Sequence, residues 1–305
     1  MKSLVILAAW MWSRYWWWWL KQIDVFWPHW EKIMDYSIYD AINAGFQKII
    51  FVIREEFAEV FEKQIIEPLK QNNPTVSFVY VFQKKQSLLP EWFDVSHREK
   101  PWWTAHATLV AKEEIDGPFT VINADDWYWP WAFYAMSAYF DTHIWIDALC
   151  MVWYILENTL SPHGAVNRGV CEVSWWKLIA INERLKVTKV PNTTYAQDED
   201  WNQFPLNSIV SMNFWWFDKK HLSIMESQWK SFVEQYSSDP KKEWFIPWVI
   251  AELIHTEWMV CDVLTSNDPW CWVSYQEDKP FVQQTIQQAI DQWVYPKEPL
   301  WSTRS

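Results

Sequence analysis

The chain has 305 residues and a formal net charge of -12, with half of its residues hydrophobic, a size that allows one large α/β domain or two smaller ones with an ample core. The acidic balance excludes a nucleic-acid groove, which needs clustered Lys and Arg, so any phosphate handled here must meet a few local cations helped by a divalent metal. Cys150, Cys171, Cys261 and Cys271 form no CxxC pair and the seven histidines show no HxxxH spacing, which excludes a zinc site or disulfide framework and fits a reducing cytoplasm.

In chain order, Leu4–Ala8 is a short continuous apolar run and predicts a buried parallel strand. It follows Lys2 but runs on into Trp10, Met11, Trp12, Ser13 and Arg14 without a small-residue cleavage site, so a strand is favoured over a signal peptide. Asp35 is placed to cap a helix through Ala44, which Gly45 stops. Lys48–Ile53 predicts a second strand. Phe57, Val60, Phe61 and Ile65 have helical spacing, with Pro68 near the helix end. Val76–Phe82 predicts a third strand, followed by a polar stretch to Pro101. Thr104–Ala111 predicts a helix, and Phe119–Asn123 a strand leading to Asp125-Asp126. Gly169–Ser174 and Lys177–Ile181 predict a hairpin, Leu206–Phe214 a strand, and Phe217–Gln235 and Pro280–Gln292 amphipathic helices. No run reaches the ~18 apolar residues of a membrane span. The strand–helix alternation predicts an α/β fold with a doubly wound, mostly parallel sheet in three α/β/α layers, carrying a strand-rich insertion. With no linker or repeat in view, residues 1–305 are read as one domain.

Two residue types are anomalous. Average usage gives about 21 glycines in this length, but the chain has 4, and it has 29 tryptophans. The tryptophans fall largely where turns belong, as in Trp10-Met11-Trp12, Trp16–Trp19 and Trp175-Trp176. Several turn types need positive φ, which a Cβ resists. Reading glycine for many of these tryptophans restores ordinary turn chemistry, and we read the chain as one in which tryptophan has replaced glycine wholesale. The competing reading is an aromatic-rich surface for carbohydrate binding, which leaves the missing glycines unexplained.

With that replacement reversed, residues 4–14 read Leu-Val-Ile-Leu-Ala-Ala-Gly-Met-Gly-Ser-Arg, with Lys21 following. This resembles the opening signature of the sugar-phosphate nucleotidyltransferases, the NDP-sugar pyrophosphorylase superfamily. A strand ends, a glycine-rich turn brings backbone N–H groups to a triphosphate, and Arg and Lys neutralise it. The resemblance implies nucleotide contacts from Ala8, Ala9, Trp10, Met11, Trp12 and Ser13, and catalytic roles for Arg14 and Lys21. Trp10 and Trp12 stand where glycines make room for phosphate, which predicts impaired activity.

Further motifs extend the resemblance along nearly the whole chain. Val121-Ile122-Asn123-Ala124-Asp125-Asp126 ends a strand with two carboxylates, where open α/β sheets bind ligands. By resemblance Asp125 holds Mg²⁺ and takes part in catalysis, with Asp126 as its supporting partner, though helix capping is open for both. Lys100-Pro101-Trp102-Trp103-Thr104-Ala105-His106 matches a turn entering a helix beside the nucleobase. Trp103 and Thr104 are thereby nucleotide-binding candidates, Trp103 stands for glycine, and Trp102 is a native tryptophan. Gln83 matches a position that reads the base edge, and His106 is a candidate for packing under the loop. Glu183 matches a residue that binds sugar hydroxyls, Lys186 (with Arg184 close behind) one that holds the sugar phosphate, and Asn213 lies on the strand lining that site. Near the C-terminus, Val273-Ser274-Tyr275-Gln276-Glu277-Asp278 resembles a segment of a bacterial-type branch, and Asp278 is the candidate second metal ligand. The implied reaction joins an NTP and a sugar 1-phosphate into an NDP-sugar and pyrophosphate with Mg²⁺, without nucleic acid or membrane. Alternatives are an inactive, tryptophan-substituted scaffold or the carbohydrate-binding module.

Overall fold

A computed structural model describes residues 1–9, 31–143, 148–265, 271–272 and 279–301. The first half of the chain gives β1 (Ser3–Leu7), α1 (Ile33–Asn43), β2 (Lys48–Ile53), α2 (Ala58–Phe61), α3 (Glu67–Asn72), β3 (Ser77–Phe82), α4 (Thr104–Val110) and β4 (Phe119–Asn123). A short β5 (Asp126–Trp127), α5 (Trp129–His143) and β6 (Ala148–Ile155) follow. The second half contains β7 (Val166–Ser174), β8 (Lys177–Lys189), β9 (Tyr195–Gln197), β10 (Gln203–Pro205), β11 (Ile209–Phe217), α6 (His221–Tyr236), α7 (Ile246–His255), β12 (Val260–Thr265), β13 (Cys271–Trp272) and α8 (Lys279–Asp291).

The main sheet runs β10-β9-β8-β12-β6-β11-β4-β1-β2-β3, with β7 beside β11 and β8. Strands β1 to β4 are mutually parallel through β3–β2–β1–β4. β11 then lies antiparallel to both β4 and β6, while β12 is parallel to β6. The sheet is therefore mixed, where the alternation in the first half of the sequence predicted a mostly parallel, doubly wound one. The hairpin of β7 and β8 follows from their two-residue link, but what mixes the sheet is β11, which runs antiparallel between β4 and β6 through pairings of segments far apart in the sequence.

Alternation along β1 sends Leu4 and Ile6 into one core and Val5 and Leu7 into another. The first core takes residues of α1 and α5, including Met34, Ile38, Phe133 and Met136; the second takes residues of α4, α6 and α7, including Leu109, Met225 and Ile250. Burial on both faces explains why β1 and β2 read as unbroken apolar runs. α8 packs against α1 through a third cluster that includes Tyr36, Trp127, Val282 and Ile286.

Several boundaries differ from expectation: β7 starts at Val166 rather than Gly169, and β8 runs on to Lys189 rather than Ile181. Lys32, not Asp35, is the N-cap of α1; Asp35 sits three residues inside and its Oδ2 accepts the Lys32 N–H at 2.8 Å. Pro68 lies near the end of its helical stretch, as expected, since α3 stops at Asn72. A turn of π-helix at Glu62–Ile66 precedes α3, and Pro68 occupies the first turn of that segment, where its missing N–H is tolerated. β11 continues to Phe217 because Trp215, Trp216 and Phe217 are all buried in the sheet, so α6 starts only at His221.

Tryptophan occupies seven of the eleven non-glycine positions with positive φ among the described residues. Trp175 and Trp176 (φ 50 and 60) form the two-residue link between Ser174 and Lys177, a turn that needs left-handed backbone at both positions. Trp293 (φ 64) follows α8, where its N–H reaches Ile290 O and the Val294 N–H reaches Ala289 O. That bonding is the Schellman pattern whose left-handed residue is usually glycine. Gly45 (φ 91) holds the corresponding place after α1.

Candidate functional site

Because β1, β2, β3 and β4 are parallel, their C-terminal ends share one edge of the sheet, where ligands bind in open α/β folds. Ala8 and Ala9 end β1 there, both buried, with the Ala8 N–H on Val52 O at 2.9 Å. The nucleotide-contact candidates Trp10, Met11, Trp12 and Ser13, the catalytic candidates Arg14 and Lys21, and the metal candidate Asp278 lie outside the described residues.

Beside Ala9 opens a cleft of about 360 Å³, bordered by Arg54 after β2, Gln83, Lys84 and Lys85 after β3, and Pro101. Lys84 pairs with Glu55 at 2.6 Å and Arg54 with Glu56, so the cationic rim is partly neutralised. Gln83 is nearly buried; its Nε2 lies 3.0 Å from Trp103 O and 3.0 Å from His106 Nδ1. Trp103 is the N-cap of α4 with φ 76 and ψ -157, a region that glycine alone occupies readily. The Thr104 hydroxyl accepts the Ile246 N–H at 3.2 Å and thus ties α4 to α7 rather than facing the cleft. Trp102 is fully buried, donates to Lys85 O at 2.7 Å, and lies under the Arg98 guanidinium at 3.4 Å from its ring centroid. Arg98 in turn donates to Asp239 O and Lys242 O, stapling the loop after β3 to the loop before α7.

A second constellation forms where β4 meets β11. Asn123 donates through Nδ2 to Asp126 Oδ2 at 2.8 Å, and its N–H donates to the Tyr128 hydroxyl at 3.0 Å. The Tyr128 hydroxyl lies 2.7 Å from Met212 O and 3.1 Å from Asp126 Oδ2. Burial, with the Asp126 charge adding to it, pushes the Tyr128 phenol well above its ordinary range. Asp126 is therefore held in the fold, and Asp125, half-buried, is the neighbouring carboxylate. β11 bulges between Ser211 and Trp215, and Asn213 takes φ 60 within the bulge. The bulge brings Asn213 Nδ2 to 3.3 Å from Asn123 Oδ1, so Asn213, Asn123 and Asp126 form one chain of contacts.

Glu183 lies next in space, opposite Gly169, which is also paired with Ser211. A Cβ at Gly169 would meet Ile181 at 3.1 Å, Ser211 at 3.4 Å and Pro247 at 3.4 Å, so glycine permits the close approach here. Burial lifts the Glu183 carboxyl to about 7, against the pull of Arg168. Arg168 is buried, with Nε donating to Thr159 Oγ1 at 2.9 Å and Nη1 to Asn167 O at 2.6 Å. Burial lowers its guanidinium to about 10, while the charges of Asp126, Glu183 and Asp125 oppose that fall. Arg168 thus links both carboxylate groups electrostatically, and sequence reasoning passed it over; its place beside the close-packed Gly169 was the available signal. Lys186 is on the outer hairpin instead, exposed and paired with Glu199 at 2.6 Å, while Arg184 approaches Asp198 at 3.7 Å.

The raised Glu183 carboxyl has a consequence for stability. Between the usual 4.5 and about 7, the folded chain keeps a proton that the unfolded chain has lost. Stability therefore falls as pH rises through that window. Glu183→Gln is expected to remove this fall, and urea midpoints across it should show the variant gaining on the parent as pH increases. Parallel curves for the two proteins would show that Glu183 is ionised in the fold.

Among the described residues, no group of three or more His, Cys, Asp or Glu side chains is placed to hold a metal ion, and no helix is long and apolar enough to cross a membrane. No protein family and no curated protein matches the sequence. Solved structures do match in fold. The inositol-1-phosphate CTP transferase from T. maritima aligns over 95% of this chain and 97% of its own, at 13% identity and a TM-score of 0.61. A glucose-1-phosphate thymidylyltransferase, assigned as putative, from Bacillus anthracis in complex with a sucrose aligns over 99% of both chains, at 14% identity and a TM-score of 0.63. A UDP-glucose pyrophosphorylase complexed with UDP-glucose aligns over 94% of this chain and 99% of its own, at 14% identity and a TM-score of 0.62. The chain therefore has the mixed α/β fold of sugar-phosphate nucleotidyltransferases.

Proposed function

We propose that this chain is built, as one domain, to transfer a nucleotidyl group from an NTP to a sugar 1-phosphate, and that tryptophan at glycine positions impairs it. The observation that carries the reading is the juxtaposition on one sheet edge. Ala9 and Gln83 border a cleft on the sheet edge where β4 leads to Asp125 and Asp126, Asn213 reaches Asp126 through Asn123, and Arg168 is coupled by charge to Asp125, Asp126 and Glu183. The glucose-1-phosphate thymidylyltransferase and UDP-glucose pyrophosphorylase neighbours add support through their shared fold.

In this reading the nucleotide lies along the ends of β1 and β3, and the sugar phosphate enters beside Asn213 and Glu183. Arg14 and Lys21 neutralise the triphosphate, and the sugar phosphate oxygen attacks the α-phosphorus in line as pyrophosphate leaves. Oxygen donors suit Mg²⁺, which needs few protein ligands when phosphates and water complete its shell. Asp125 would hold it with Asp278, and its chemistry is charge neutralisation on the phosphates. Asp126, engaged by Asn123 and Tyr128, fixes the strand end that presents Asp125. Glu183, with its carboxyl near neutrality, can donate to or accept from a sugar hydroxyl.

The test is pyrophosphate release from a panel of NTPs and sugar 1-phosphates, run on this chain and on a version with glycine at Trp10, Trp12 and Trp103. Release is expected to be weak in the first and to rise at least about tenfold in the second, since a side chain in a phosphate-binding turn removes close backbone donors. No release from either, or sugar binding indifferent to NTP, would sink the reading.

A further inference from the structure

Gln83 is an amide, which in isolation can offer a base edge either a donor or an acceptor. Its surroundings remove that freedom. Trp103 O can only accept, so the Gln83 atom 3.0 Å away is the amide nitrogen, and one of its protons is committed there. The same nitrogen lies 3.0 Å from His106 Nδ1, to which its second proton points. Nδ1 must then be bare, which puts the imidazole proton on Nε2, and Nε2 lies 3.0 Å from Ser87 O, again a pure acceptor. Every link in the relay from Gln83 through His106 to Ser87 has a single consistent polarity. What remains of Gln83 for the cleft it borders is Oε1, an acceptor.

We infer that His106 is a positioning residue that locks Gln83 as a hydrogen-bond acceptor, so that the cleft selects a nucleobase with a protonated ring nitrogen at the centre of its pairing edge. Uracil, thymine and guanine carry that N–H; cytosine and adenine present a lone pair there, which would face the lone pairs of Oε1. This rests on the nucleotide-transfer reading and narrows it to a class of nucleotide. His106 is fully buried against the Trp229 ring at 4.6 Å, which holds the imidazole between Gln83 and Ser87 O. Burial, with Arg98 also contributing, depresses its imidazole to about 4 against the opposing Ser87 bond, and the ring is neutral at pH 7.

Two measurements decide it. Nitrogen-15 NMR of the histidine side chains, with His106 identified by its loss in His106→Phe, is expected to show a neutral ring protonated on Nε2. A ring charged at pH 7, or protonated on Nδ1, overturns the lock whether or not any nucleotide binds. Calorimetric titration is expected to show UTP and dTTP binding at least about tenfold more tightly than CTP and ATP, as for a site whose buried polar group is left facing an unsuitable partner. His106→Phe, which keeps the contact with Trp229, is expected to bring that ratio toward one. Equal binding of UTP and CTP by the parent overturns the selection. Absence of binding by all of them overturns the nucleotide-transfer reading instead, and the NMR result still judges His106.

Discussion

Glycine at Trp175, Trp176, Trp201, Trp258 and Trp293 together is expected to raise the midpoint of thermal unfolding, whereas Trp102→Gly is expected to lower it sharply. All five have positive φ, between 50 and 66, and all are exposed. Left-handed backbone costs a residue with a Cβ roughly 1–2 kcal/mol, while glycine's greater freedom in the unfolded chain returns about 0.5–1 kcal/mol of that. A net gain of about 0.5–1 kcal/mol per site is left, because exposed indoles lose little packing. Over the five sites that is roughly 3–5 kcal/mol, or a rise of roughly 5–10 °C for a chain this long. Trp102 differs in every term. It is fully buried, its N–H is bonded to Lys85 O, and it packs edge-on against Trp229 at 5.1 Å. Truncating such a side chain costs about 3–5 kcal/mol or more. Scanning calorimetry of the variants checks both signs. A lower midpoint for the fivefold variant would mean that these indoles contribute contacts that outweigh their backbone strain.

Asp125→Ala in the version with glycine at Trp10, Trp12 and Trp103 is expected to abolish metal-dependent pyrophosphate release, by at least about a hundredfold, while leaving the unfolding midpoint close to that of its parent. Asp126→Ala should do the reverse in kind. Its carboxylate accepts from Asn123 Nδ2, and removing that acceptor costs about 1–3 kcal/mol, while the Tyr128 hydroxyl keeps Met212 O at 2.7 Å. The pair thus tests whether Asp125 meets the reacting phosphates while Asp126 holds the strand end. Retained release in Asp125→Ala, measured with excess Mg²⁺, would remove Asp125 from the mechanism.

Some of the tryptophans sit less comfortably than exposure alone indicates. Trp216 is fully buried in β11, between Thr120 and Cys150 on the flanking strands, and its indole N–H has no hydrogen-bond partner among the described residues. An unsatisfied buried donor of this kind costs about 1–3 kcal/mol. By contrast, the Trp127 N–H finds the Tyr295 hydroxyl at 2.8 Å, and that hydroxyl lies 2.7 Å from Asp40 Oδ2. The two sites show the difference between an indole the surroundings satisfy and one they merely enclose.

Local chemistry in the sequence was enough for the first four strands. Continuous apolar runs at residues 4–8 and 48–53 mark strands covered on both faces, and Gly45 marks the end of α1. The turn chemistry was legible too, since a two-residue link between Ser174 and Lys177 demands positive φ whatever side chains it carries. α5 and β6 were not legible. In Trp129–His143 apolar residues circle the helix, so no polar face sets its period. The order of β11, β6 and β12 was also out of reach, because it depends on pairings between segments tens of residues apart.

By itself, then, the sequence determined the first four strands and the β7–β8 turn, and that few cations are available along an acidic chain. Only the tertiary structure decided that β11 enters antiparallel, that its bulge carries Asn213 to Asn123, and that Arg168 rather than Lys186 is the buried cation between the carboxylates. The physical reason is one of range. Periodicity and turn preference act over a few residues along the chain. Burial, by contrast, sets the Arg168 guanidinium and the Glu183 carboxyl through neighbours that only the folded sheet brings together.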